Sequence, residues 1–361
     1  MTLKGWFLKK EGEEKMLIRK YELGTAFSVG VWNIGPGGSR FSAPTRSELT
    51  MGEKLHLLKG AGATHIEAHN TDIAGIGAKA FAKLLAEEGL GWGMYTPNLF
   101  SGRPEYATGA LDSPIQEVRH MAINDFIDVV NVAVEYDVDL VVFWNGMAGY
   151  NMTMEKDHVT HLGYLRDGLS EVVEWTRSRH GRKARRIAIE PKPNEPRNYM
   201  YLGTVGDALA LIATLPREIS RYLGVNPETA HSIMAGLDYC QDISLAMLSD
   251  KLFHVHLNDQ NGPRYDQDYG FGDINVAKAF ETVSLLVEHK YTGLVGFDVQ
   301  PLPSDTDEQQ VATVERSIQT FKDLLGLWTC MDIGDKNKLQ ELRAKGDAHG
   351  VCNWLTVRLY A

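Results

Sequence analysis

Cysteine is scarce: Cys240, Cys330 and Cys352 are the only three in 361 residues, widely spaced and without a CxxC pair. That excludes a disulfide framework and a thiolate metal site, and it points to a reducing, cytoplasmic setting. Positive charge is in deficit as well. A formal net charge of −10 argues against a phosphate-gripping face and so against a nucleic-acid binder. No long apolar run occurs. The opening "MTLKGWFLKKEGEEKMLIRK" breaks its apolar residues with charges, so it reads as neither a signal peptide nor a membrane span. No GxGxxG or P-loop pattern follows the first apolar run, which leaves a nucleotide-binding fold without its usual support. A serine-nucleophile elbow, a reactive-cysteine setting and low-complexity segments are also missing.

What is present is alternation. Short apolar runs at 25–32, 64–69, 90–95, 139–144, 185–190, 221–226, 252–257 and 293–298 read as strands. Between them lie stretches with helical spacing. In 113–136, for example, Val118, Met121, Ala122, Ile127, Val130 and Val134 fall on one face. Eight strands alternating with helices predict an α/β chain with a parallel sheet, and eight is the number that closes a (β/α)8 TIM barrel. An open doubly wound sheet is the other arrangement. No linker interrupts 24–325, so residues 1–325 are expected to form the barrel. Residues 326–361 would form a short C-terminal helical extension, helical around Asp335 to Lys345.

Reactive side chains gather at the C-terminal ends of these strands, the rim where barrel enzymes keep their active sites. "IAIEPKPNEPR" buries an apolar strand up to Glu190, whose carboxylate then needs a cation or hydrogen bonds. Its prolines stiffen the loop that carries Lys192. "GVNPETAH" sets Glu228 and His231 three apart, on one side of a helix start, a pairing that suits a transition-type divalent ion. "YDQD" places Asp266 and Asp268 two apart in a loop, suited to an oxygen-rich cation site. "IEAHNTD" gives His69 and Asp72, a general-base arrangement in which the carboxylate orients the imidazole. Trp32, Phe100 and Trp144 sit at strand ends and could wall a dry pocket. Each stretch, read alone, has a plainer account: a solvated rim turn, a helix N-terminus, an acidic turn, a capped strand end, ordinary packing. Together they bring five carboxylates toward one point: Glu190, Glu228, Asp266, Asp268 and Asp298. Two divalent cations would offset four of those five charges, whereas one would leave the group strongly anionic.

These motifs resemble the xylose isomerase family. "TPNLF", "FWNG", "IEPKPNEPR", "GVNPETAH", "HLNDQNG" followed by "YDQD", and "GFD" occur in the family's order and nearly at its spacing, from Phe27 to Asp298. The resemblance implies a two-metal aldose–ketose isomerase that shifts a hydride between C2 and C1 of an open-chain, unphosphorylated sugar. It implies that one metal, manganese, magnesium or cobalt, is held by Glu190, Glu228, Asp298 and residue 256. The other would be held by Glu228, His231, Asp266 and Asp268. His69 with Asp72 would assist ring opening and Lys192 would hold a carbonyl-side oxygen. Trp32, Thr96, Phe100, Trp144 and Asn258 would surround the sugar. Phe41 would reach the site of a neighbouring copy in a homodimer or homotetramer.

The chain departs from the pattern twice. His256 stands where the family places Asp, so a neutral imidazole replaces a charge. That change favours manganese, cobalt or nickel over magnesium and is expected to shift sugar preference. The segment after Asp298 is shorter than the family's C-terminal arm, which weakens the expectation of a tetramer. Two other classes of function stay open from sequence. One is a metal-dependent lyase, epimerase or glycoside-cleaving enzyme on the same barrel, with His69 or Lys192 moving the proton. The other is a sugar-binding relative without turnover.

Overall fold

Each predicted strand forms, seven of them trimmed and the third shifted by one residue. In a computed structural model, which describes residues 18–37 and 43–360, the strands are β1 (Phe27–Gly30), β2 (His65–His69), β3 (Gly91–Thr96), β4 (Leu140–Trp144), β5 (Ile187–Glu190), β6 (Leu223–Val225), β7 (Val255–Leu257) and β8 (Val295–Phe297). All neighbours are parallel, in the order β6-β5-β4-β3-β2-β1-β8-β7. The last gap closes through Val225 N to Lys251 O (2.8 Å), Phe253 N to Val225 O (3.1 Å) and His256 N to Pro227 O (3.0 Å). The sheet is therefore a closed barrel with no free edge, the solution a parallel sheet reaches when helices cover its outer face.

The helices follow from local signals. Thr50 and Glu53 form a reciprocal capping box at the start of α1 (Met51–Gly60). Gly89, at φ +69°, ends α2 (Ala78–Glu88) in the left-handed conformation that glycine adopts without a Cβ clash. The predicted one-sided helix is α3 (Gln116–Glu135), with Val118, Ala122, Val129 and Val130 buried. After it come α4 (His158–His180), α5 (Val205–Ala213), α6 (Arg217–Ser220), α7 (Thr229–Met234), α8 (Tyr239–Leu248), α9 (Val276–Glu288) and α10 (Asp307–Cys330). The main core lies between strands and helices. A smaller cluster of Met94, Leu140, Val142, Ala188 and Phe253 fills the inside of the barrel.

α10 runs through residue 325. The chain breaks at Met331, and we take that break as the division between barrel and extension. Beyond it lie α11 (Ile333–Lys345), begun by the Asp332 cap, and a second helix, α12 (Ala348–Tyr360), that the sequence reading did not anticipate. Buried Trp354 of α12 donates to the Asp335 carbonyl (3.2 Å), and Arg343 pairs with Glu288 of α9 (3.4 Å), fastening the extension to the barrel wall. Among the described residues no helix is long and apolar enough to cross a membrane.

Candidate metal centre

Residues at the C-terminal strand ends enclose a cavity of about 200 Å³ floored by Met94 and Val142. At about 30 Å³ per liquid-water molecule, that is the space of roughly seven waters. One side is carboxylate. Glu228, buried behind the lining, lies within reach of these carboxylates, just after β6 and at the cap position of α7. Its Oε1 is 3.3 Å from His231 Nε2, and its Oε2 is 3.8 Å from His256 Nδ1. Glu190 ends β5, and its Oε2 accepts from Asn226 (2.7 Å). Asp298, just past β8, accepts from the Trp32 indole (2.7 Å). Asp266 Oδ2 takes Lys192 Nζ at 2.6 Å and His231 Nε2 at 3.2 Å. Asp268 sits beside it at φ +46°. Among the described residues four sets offer ligand atoms within 4.8 Å of one another: Glu67 with His254 and His256, set deeper, and three nearer the rim, Glu190 with Glu228 and His231, Glu228 with His256 and Asp298, and Glu228 with Asp266 and Asp268. Glu228 belongs to all three nearer the rim.

The donor set fits divalent cations. Glu228 Oε2, Asp266 Oδ1 and His256 Nδ1 are buried lone-pair atoms without a hydrogen-bond partner, an arrangement that costs free energy unless something positive sits between them. Burial and then the charge of Glu228 push the Asp298 carboxyl up to about 7. Burial, and then Asp266 and Glu228, raise that of Asp268. Crowded carboxylates without cations respond by taking protons.

His256 lies deeper and is held from below. Its Nε2 is 2.9 Å from Glu67 Oε2, while Nδ1 faces Glu190 Oε2 at 3.1 Å, off the hydrogen-bond direction. Glu67, on β2 and 0% exposed, also takes His254 Nε2 on its other oxygen at 3.0 Å. Burial alone would raise the Glu67 carboxyl, but His256 and His254 outweigh it and hold the group well below the usual carboxylate range. A sequence reading that looks to the rim passes over Glu67, which lies two residues below His69. Its signal was an acidic residue inside an apolar strand, on the same face as His69. Glu67 also amends the charge count: it adds a sixth carboxylate to the five expected here, hydrogen-bonded by two imidazoles, while Lys192 offsets Asp266.

The opposite wall is aromatic. Trp32, His69, Phe100 and Trp144 form a chain of ring contacts with centroids 4.7, 5.7 and 4.4 Å apart. Asn98 builds the turn that presents Phe100, accepting from Ser101 N (2.8 Å) and Gly102 N (2.9 Å). His69 Nδ1 is 3.2 Å from Asp72 Oδ2, which also accepts from the His69 amide (2.7 Å). Lys192 Nζ stands 5.4 Å over the Trp144 ring. Thr96 Oγ1 is buried beside the cavity without a partner. Gln300 lines the cavity too, and the sequence reading did not single it out.

Like Glu228, Asn258, which was expected beside the sugar, is not among the residues lining the cavity. Its Nδ2 donates to Glu228 Oε1 (2.9 Å), Asp268 Oδ1 (2.8 Å) and the Asp298 carbonyl (2.9 Å), and its Oδ1 accepts from Ala230 N (2.8 Å). Being uncharged, with both a donor and an acceptor, it ties carboxylates together from behind. Phe41 lies outside the described residues.

Comparison with known proteins agrees with this architecture. The family model described as "Xylose isomerase-like TIM barrel" matches residues 55–323. A xylose isomerase from Thermus thermophilus is 33% identical over 305 residues, covering 82% of this chain and 78% of that protein. Among solved structures, a D-tagatose 3-epimerase-like protein superposes with a TM-score of 0.63 at 17% identity, over 84% of this chain and 100% of its own. D-allulose 3-epimerase from Methylomonas sp., crystallised with D-allulose, gives 0.62 at 12% identity over 86% and 99%. At those identities the structures speak for the fold alone. With the closed eight-stranded barrel, the family-model match and the 33% identical relative, the chain belongs to the xylose isomerase-like TIM-barrel family.

Proposed function

We propose that this protein is a divalent-metal-dependent aldose–ketose isomerase acting on a small unphosphorylated sugar. The observation that carries the reading is the convergence of four carboxylates and two imidazoles on Glu228, at the edge of a cavity whose other wall is aromatic. The identity to a xylose isomerase supports the reaction class. Glu190, Glu228, His256 and Asp298 would hold one ion, and Glu228, His231, Asp266 and Asp268 a second. When bound, such ions polarise the C–O bonds of a polyol and acidify its hydroxyls.

The chain's own residues do the rest. Asp72 holds His69 Nδ1, so Nε2 is the ring nitrogen left to move a proton at the ring oxygen of a closed sugar. Lys192 carries an ammonium whose proton affinity is raised: burial opposes this, but Asp266 outweighs it. It is therefore a fixed positive charge that can hold a carbonyl-side oxygen. Thr96 Oγ1 offers a hydroxyl that no protein group uses. Trp32, Phe100 and Trp144 exclude water, which strengthens these interactions. Among the described residues no Arg or Lys cluster lies beside these side chains to recognise a phosphate, which supports an unphosphorylated substrate.

The test is a sugar panel of D-xylose, D-glucose, D-ribose and L-rhamnose in heavy water, followed by NMR. The protein is stripped with chelator and reloaded with magnesium, manganese or cobalt. Ketose free of carbon-bound deuterium is expected. Deuterium uptake, an inverted stereocentre without ketose, or a cleaved skeleton would replace the isomerase reading with an epimerase or lyase.

A further inference from the structure

One buried charge is used by neither the ligand set nor the groups that move protons. Among the described residues no Lys or Arg pairs with Glu67. Its oxygens divide between two imidazoles, His254 Nε2 at 3.0 Å and His256 Nε2 at 2.9 Å. A carboxylate only accepts, so both Nε2 atoms carry protons. In neutral His256 this leaves Nδ1 as the lone-pair nitrogen. Nδ1 is the atom that faces Glu190 Oε2 (3.1 Å), Glu228 Oε2 (3.8 Å) and Asp298 Oδ2 (4.0 Å), and it has no hydrogen-bond partner.

The backbone makes room for this arrangement. Gly296 of β8 pairs with His256 in register, and a Cβ there would come within 2.5 Å of His254 Nε2 and 2.6 Å of His256 Cδ2. Three strands, β2, β7 and β8, thus build one fully buried carboxylate–imidazole support under a ring of ligand atoms. The rings of His254 and His256 lock edge to face at 5.1 Å, which leaves His256 little freedom to turn over.

We propose that Glu67 is a positioning residue for a divalent cation, fixing the His256 tautomer so that Nδ1 is offered as a strong nitrogen donor and the site prefers manganese or cobalt over magnesium. A carboxylate hydrogen-bonded to the far nitrogen of a ligating imidazole raises its basicity and sets its orientation, and nitrogen donors suit transition ions better than magnesium. The inference rests on reading the carboxylate ring as a metal centre.

The test is calorimetric titration of the chelator-stripped full chain with manganese, cobalt and magnesium chlorides, in the wild type, E67Q, H256D and H256D/E67Q. Loss of such a support weakens binding about 10- to 100-fold. E67Q is therefore expected to lower manganese and cobalt affinity by about that factor and to erode the preference over magnesium. In the H256D background the sign reverses: Glu67 would then face a second carboxylate, so removing its charge tightens binding. The visible spectrum of the cobalt form should also change between wild type and E67Q. E67Q affinities within threefold of wild type, or the same loss in both backgrounds, would overturn the proposal, since damage to packing carries no dependence on residue 256. If E67Q alone fails to fold, H256D against H256D/E67Q decides, and weaker binding by the double variant refutes. A wild-type chain that takes up no ion would instead sink the metal reading itself.

Discussion

Asn258→Ala separates two roles for one residue. Truncation removes the buried amide that bridges Glu228, Asp268 and the Asp298 carbonyl at 2.8–2.9 Å and accepts from the Ala230 amide. Thr229 Oγ1 keeps its bond to the Asn258 carbonyl (2.8 Å), so the groups that lose a partner are one backbone N–H, two carboxylate oxygens and the Asp298 carbonyl. At about 1–3 kcal/mol for each buried group left unpaired, the four groups give roughly 4–12 kcal/mol, with about 4 as the lower bound. Unfolding entropy of about 2.1 cal/mol/K per residue gives about 0.76 kcal/mol/K for the 361-residue chain, so Tm should fall by at least about 5 °C. The assay is thermal unfolding followed by circular dichroism on chelator-treated protein, with steady-state kinetics on the metal-loaded form. A residue that only touched the substrate would raise KM and leave Tm in place. A Tm shift below about 1 °C with a raised KM would refute the argument and restore Asn258 to the cavity wall.

Three further outcomes follow from the same geometry. Asp72→Ala removes the acceptor that orients His69, and turnover on cyclic sugar should drop about 100-fold, within the range of general acid–base catalysis, with KM little changed in steady-state kinetics. A loss under twofold would remove the pair from ring opening. Manganese at about 100 times its Kd should stabilise the stripped chain by about 2.7 kcal/mol, roughly 3–4 °C in Tm, reversed by chelator; an unmoved melt argues against the site. The third concerns pH. Burial works against the Asp125 charge, but hydrogen bonds from Arg103 (2.6 and 2.8 Å) and Tyr106 (2.6 Å) outweigh it and depress its folded pKa. A depressed carboxyl contributes stability above its unfolded value of about 3.9 and loses it as pH falls through the folded value. Asp125→Asn should therefore lower Tm at pH 7, with the gap to wild type closing below about pH 4; a gap constant with pH would contradict this.

The fold was legible because it is local. Eight apolar runs became eight strands, each within a few residues of its predicted span, since burial on both faces of a parallel sheet writes itself into consecutive residues. Most of the candidate site was legible for a related reason. Strand ends carry the candidate ligands, so Glu190, Glu228 and Asp298 are found by finding where apolar runs stop. Helix α12 was not legible, because only Trp354 of its residues is buried and it carries little apolar pattern.

The sequence by itself determined the order of strands and helices, the side chains that crowd the barrel rim, and the presence of an imidazole at position 256. Tertiary structure alone decided how those side chains pair. Glu67 meets His254 and His256 across 187 and 189 residues, and Trp32 meets Asp298 across 266. Strand alternation tells which side chains point inward. It cannot tell which strand lies opposite, because that depends on the register and closure of the whole barrel. Asn258 and Glu67 therefore took their places only once the sheet had closed, one bridging buried carboxylates from behind and the other hydrogen-bonded to His256 from below.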